Sequence, residues 1–172
     1  MITLRSRTHN LFSFAISLSI SLNLLNLDIF YATIVSIYLS ISINQVTDSV
    51  LGHKGFKRTP YTHSIFGSTM ISVIMAVPMT FLVYLYFPNA LINIAIPLVL
   101  ISIAVGYTHL LLDILTADGV YLLWPLSKKK ISLLKVRYDN STINILITFI
   151  SIMIIAWILF TRIETYVKGF IP

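Results

Sequence analysis

His109 and Asp113 stand four residues apart in "GYTHLLLDILTADGVYLLWPLSKKK" (residues 106–130), near the end of a run that is otherwise almost wholly apolar. On a helix that spacing puts both side chains on one face, one turn apart. An imidazole and a carboxylate presented together can hydrogen-bond each other or ligate a metal. Groups of the same two types recur at the ends of other apolar runs: His9 before the first, Asp48 after the second, His63 at the start of the third. The chain has no cysteine, so thiolate ligands and disulfides are excluded, and a metal would be held by His, Asp or Glu with backbone or water oxygens. Three His and two Asp suit zinc best, and manganese or iron next. One closed four-coordinate site would use four of them; five, with one carboxylate bridging, could hold two ions about 3.5–4 Å apart.

The elements that must position these residues are membrane spans. With 57% hydrophobic and 10% charged residues and a mean hydropathy of +0.90, the chain is neither an ordinary soluble domain nor a disordered one. Apolar runs over about 11–27, 29–47, 62–87, 91–116 and 141–160 are each long enough for a ~30 Å hydrocarbon core. The expected fold is an all-α integral membrane helical bundle of about five transmembrane helices, with residues 1–172 as a single membrane domain. The first run lacks the small-residue cleavage site of a signal peptide and is read as a span. Pro60 turns the chain away from helix, Thr62 is the expected cap of the third run, and Pro97 is the expected kink of the fourth. The loop from Ala117 to Ser141 reads as a short hairpin or an interfacial segment.

Five alternating spans put ten basic residues (Arg5, Arg7, Lys54, Lys57, Arg58, Lys128, Lys129, Lys130, Lys135 and Arg137) on one face and only Arg162 and Lys168 on the other. The asymmetry predicts that the basic face is cytoplasmic, in a multi-pass protein of the plasma membrane with its N-terminus inside and its C-terminus outside. The net charge of +6 therefore reads as juxtamembrane anchoring, with Lys128 to Lys130 on lipid headgroups and Trp124 at the interface, rather than as a nucleic-acid surface. Membrane lipids are the expected partners. The same topology brings His9, Asp48, His63, His109 and Asp113 to that face from four different helices, leaving only Asp28 and Glu164 opposite. An Asp at the centre of a span costs about 2.5–3.5 kcal/mol. A convergent cluster calls for a compensating cation.

"RTHNLFSFA", "GHKGFKRTPYTHSIFGS" and "GYTHLLLDILTADGVYLLWPLS" resemble, in order and spacing, the YdjM-like family of membrane-bound metal-dependent hydrolases and its archaeal relatives with R-T-P-x-T-H-S, over roughly residues 7–135. That family is grouped, distantly, with zinc-dependent phospholipases C and fungal single-strand nucleases. The resemblance implies a helical fold with metal at His9, Asp48, His63, His109 and Asp113, the last as a bridging ligand. "QVTDSV" departs from the P-D-x-D-H of bacterial members, leaving Asp48, and no histidine follows Asp113, which limits the centre to one or two divalent ions. The implied activity is hydrolysis of a phosphoester, such as that of a phospholipid headgroup. Arg58, through its bidentate fork, would stabilise developing negative charge, and His53, in the polar loop "LGHKG", reads as a substrate contact, a group supporting the ligands or a plain loop histidine. The alternative is a non-enzymatic membrane scaffold with a structural metal or polar cluster. Transport of the metal would need polar residues running on through the bundle, and Asn23, Asn26 and Asn93 are too few.

Overall fold

The computed structural model describes residues 6–50, 53–54 and 57–168. Of the groups singled out above, Arg5 and the side chains of His53, Lys54, Lys57 and Lys168 lie outside the described residues. The chain forms α1 (Ser6–Asn23), α2 (Ile29–Gln45) running on into a π-helical turn (Val46–Val50), a two-stranded hairpin of β1 (His53–Lys54) and β2 (Lys57–Arg58), then α3 (Ile65–Tyr86), α4 (Leu91–Ile114) and α5 (Ser141–Lys168). Four stretches, Ile29–Val50, Ile65–Tyr86, Leu91–Ile114 and Ser141–Glu164, are long and apolar enough to cross a membrane. The all-helical bundle expected from the sequence is the architecture found.

Local chemistry sets the boundaries. Asn26 takes the left-handed φ of 49° that closes the turn after α1, and the Asp28 carboxylate accepts from Phe30 N (2.8 Å) to cap α2. Ser64, not Thr62, caps α3, its hydroxyl accepting from Gly67 N at 3.0 Å. Thr62 is used elsewhere, as described below. The segment after α4 is hairpin-like: Val120 and Ile131 exchange backbone hydrogen bonds of 2.9 and 2.8 Å, and Ala117 N donates to Val136 O. It is tied to the entry of α3 through Tyr121 N to His63 O (3.0 Å) and Ile65 N to Leu122 O (3.1 Å).

The bundle is polar inside and apolar outside. Ile92, Trp157 and Phe160 face outward with more than half their surface exposed, whereas Ser13, Ser17, Ser21, Ser36, Ser72, Ser102 and Ser151 are fully buried. Lipid explains both halves of that inversion, because apolar side chains are as well solvated by acyl chains as by each other, and small residues let helices approach closely. α1 packs against α2, α4 and α5, and α3 packs chiefly on α4. Between antiparallel α1 and α2, Asn44 Nδ2 reaches Ser13 Oγ at 3.4 Å. Stepping four residues at a time along both helices brings Ser17 level with Ser40 and Ser21 level with Ser36. An apolar cluster of Val35, Leu39, Ile43, Ile71, Leu98, Ile101 and Val105 fills the space between α2, α3 and α4.

α3 and α4 are in close contact where Gly106 faces Ser68 and Ser72; a Cβ at Gly106 would run into both hydroxyls. Gly106→Leu is therefore expected to destabilise the bundle by about 1–3 kcal/mol, while Trp157→Leu on the outer face leaves it within about 0.5 kcal/mol. Unfolding in detergent micelles checks this; equal stability of the two variants would contradict the packing.

Candidate metal centre

Each helix contributes to the centre by its end. α1 carries His9 in its first turn, the π-helical turn after α2 carries Asp48, the segment before α3 carries His63, and the last two turns of α4 carry His109 and Asp113. π-helical turns widen a helix locally and recur at functional sites. His9, His63, His109 and Asp113 are fully buried, and Asp48 alone keeps some exposure, at 8%.

Asp113 is the hub. Its Oδ2 lies 3.4 Å from His63 Nε2 and 3.3 Å from His109 Nε2. Asp48 Oδ1 lies 3.5 Å from His63 Nε2 and 3.3 Å from His109 Nε2. These four atoms all fall within 4.8 Å of one another. The spacing discriminates between two kinds of cation. Direct N–H···O hydrogen bonds would draw such pairs to about 2.7–3.2 Å. Tetrahedral ligands at about 2.0–2.1 Å from a zinc-sized ion sit about 3.3–3.4 Å apart. The observed separations match the second case, and neither His109 Nε2 nor Asp113 Oδ2 has a hydrogen-bond partner. The four residues fit a divalent metal.

Groups behind the ligands set their orientation and tautomer. Asn44 Nδ2 donates to Asn10 Oδ1 (2.9 Å), which turns Asn44 Oδ1 toward His109 Nδ1, also at 2.9 Å. With Nδ1 donating, a neutral His109 leaves the Nε2 lone pair free for the centre. His63 Nδ1 shares a 2.8 Å hydrogen bond with Thr62 Oγ1, the use that takes Thr62 away from capping α3. Burial is the largest influence on the His63 imidazole and holds its pKa below the ordinary value, opposed by the adjacent carboxylate of Asp48. At neutral pH the ring is therefore in its uncharged, ligating form.

The other oxygen of Asp113 already has a cation. Arg58 Nη2 donates to Asp113 Oδ1 at 2.5 Å, while Nη1 donates to Thr116 Oγ1 (2.8 Å), Gly119 O (3.0 Å) and Asp113 O (3.3 Å). The guanidinium, 4% exposed, is thus turned inward onto the end of α4. His9 adjoins the group, its Nε2 3.4 Å from Asp113 Oδ1 and its ring 4.4 Å from that of His109. The structure so brings together His9, Asp48, Arg58, His63, His109 and Asp113; the His53 backbone pairs with that of Arg58 across the hairpin. Asn44 and Thr116 were not singled out from the sequence as site residues, and Thr62 was read there only as a helix cap. Asn44 carried a usable signal, since it precedes Asp48 by the same four residues that separate His109 from Asp113.

Compared with known proteins, the chain matches the YdjM inner membrane protein family over residues 4–167 and belongs to that family, as its three motifs led us to expect. No curated protein and no solved structure matches it.

Purified chain is expected to carry a divalent metal that is lost in His109→Ala and Asp113→Ala. Asn44→Leu, which removes only the support behind His109, is expected to weaken affinity by about 10–100-fold. Metal analysis with competition by a chelating dye measures both; unchanged metal content in all three variants would reject the ligand assignment.

Proposed function

We propose that this member of the family is a metal-dependent hydrolase acting on phosphoester bonds at the cytoplasmic face of the membrane. The observation that carries the proposal is the set of four buried ligand atoms gathered within 4.8 Å of one another, of which His109 Nε2 and Asp113 Oδ2 have no hydrogen-bond partner. The basic residues at that end of the bundle support the cytoplasmic orientation, and the resemblance to zinc-dependent phospholipases C supports the choice of bond. Asp48, His63, His109 and Asp113 would hold one ion, zinc fitting the donor set best. A second ion on Asp113 Oδ1 would compete with the Arg58 guanidinium already there.

A divalent ion held in this way supplies Lewis acidity, bringing the ionisation of a bound water toward neutral pH. The chain's own residues do the rest. Arg58 fixes the direction of the Asp113 carboxylate, and adds a positive charge to the site against the negative charge that phosphoester hydrolysis develops. His9, beside Asp113 Oδ1 and with both ring nitrogens free of hydrogen bonds, is placed to hold or pass a proton. Substrate would approach past Asp48, the only one of the four ligands that is not fully buried, with His53, on the strand that contacts the turn carrying Asp48, as the proposed substrate contact.

One observation favours a second reading. Four protein ligands, three of them fully buried, resemble a closed structural site more than a catalytic one with an open position. In that case the ion serves a scaffold. Turnover of a panel of phosphodiesters and phospholipids decides. The hydrolase requires turnover that stops on metal removal and falls by at least about 100-fold in Asp48→Ala. No turnover in metal-loaded wild type, together with a large loss of thermal stability in Asp48→Ala, would overturn it in favour of the scaffold.

A further inference from the structure

The outer surface carries a cleft whose walls change character along its length. It lies between the first turns of α1 and the first half of α5, encloses about 490 Å³, and starts at the end of the bundle that holds the metal centre. At that end, its mouth, stand Arg7 and Ser141; farther along the helices it is lined by Leu11, Ile145, Phe149 and Ile152, the last three more than half exposed. From Ser141 to Ile152 the wall runs about 16 Å along the helix axis, which is one leaflet of a ~30 Å hydrocarbon core.

The floor is polar but closed. Thr8 Oγ1 donates to Asn144 Oδ1 at 2.9 Å, and Asn144 Nδ2 donates to Tyr138 O and Asn140 O at 3.1 and 2.8 Å. Recognition is left to the mouth. Arg7 is exposed and has neither an ion pair nor a hydrogen bond among the described residues; Arg137, just before α5, is by contrast paired with Asp139 at 2.8 Å. Ser141 opens α5, so the positive end of a long helix lies at the same mouth. No acidic residue lines the cleft. A headgroup bearing an ammonium would find no partner here, whereas a net negative one meets a guanidinium and a helix N-terminus.

The geometry points to a binding site for one anionic phospholipid, its phosphate at Arg7 and the start of α5 and an acyl chain laid along Leu11, Ile145, Phe149 and Ile152. The lipid would be a resident partner and not a substrate, since the Thr8–Asn144 floor faces it while His9, the next residue, turns toward Asp113. The inference stands whether or not the metal centre hydrolyses anything. Its effect would be to hold the start of α1, and with it His9, against α5.

Native mass spectrometry of the full chain, released from nanodiscs containing equal parts phosphatidylglycerol and phosphatidylcholine, tests it. One phosphatidylglycerol per chain is expected to be retained in preference to phosphatidylcholine. Arg7→Gln is expected to cut that preference about fivefold, Arg7→Lys to keep most of it, and Ile145→Trp, which fills the cleft, to remove retention of either lipid. Lys128→Gln, in the segment between α4 and α5 and not among the residues that line the cleft, is the control for general surface charge, and thermal melting in detergent identifies any variant that fails to fold. Equal retention of the two lipids, an unchanged preference in Arg7→Gln, or an equal loss in Lys128→Gln would overturn the site.

Discussion

Two carboxylates share the interior of one end of this bundle, and a buried charge without compensation is among the most costly features a protein can carry. Asp48 and Asp113 bring formal charges of −2 and Arg58 returns +1, so with neutral imidazoles the centre is one positive charge short. That deficit organises its surroundings. Asp113 divides its two oxygens between different partners, Oδ1 to Arg58 and His9 and Oδ2 toward the imidazoles of His63 and His109. A divalent ion among the four ligands would reverse the sign of the imbalance and leave a site with positive character, suited to an anionic ligand.

The inverted bundle follows from the same constraint. Helices that must deliver ionisable side chains to a common point need close, rigid contacts, and in lipid those come from small residues and interhelical hydrogen bonds. Ser13, Ser17 and Ser21 of α1, with Ser36, Ser40 and Asn44 of α2, form a seam that leads into the centre, ending at Asn44 on His109. Packing and site are thus one structure: the residue that terminates the seam is the residue that fixes the tautomer of a ligand.

Much of this was legible in the sequence. The helix-face spacing of His109 and Asp113, the placement of His9, Asp48 and His63 at run ends, and the length of the runs point directly to a bundle with a polar cluster at one end. Boundaries were less legible. α1 is already helical at Ser6, before the apolar run from residue 11, because burial among three neighbouring helices supports the polar turn around Thr8 and His9. Ser64 caps α3 because Thr62 is taken by His63. The direction of Arg58 was not readable at all. Its partners, Asp113, Thr116 and Gly119, lie 55 to 61 residues away, and only the folded loop shows that the guanidinium faces inward onto a ligand.

The centre's identity as a metal site rests on separations of 3.3 to 3.5 Å, and its rival is a proton shared between imidazole and carboxylate. Anomalous diffraction from crystals of protein purified without chelators, collected on either side of the absorption edge of the metal found by analysis, distinguishes them directly. A single peak is expected about 2 Å from His63 Nε2, His109 Nε2 and one oxygen each of Asp48 and Asp113. No peak there, with the same side chains closed to hydrogen-bonding distance, would contradict the assignment.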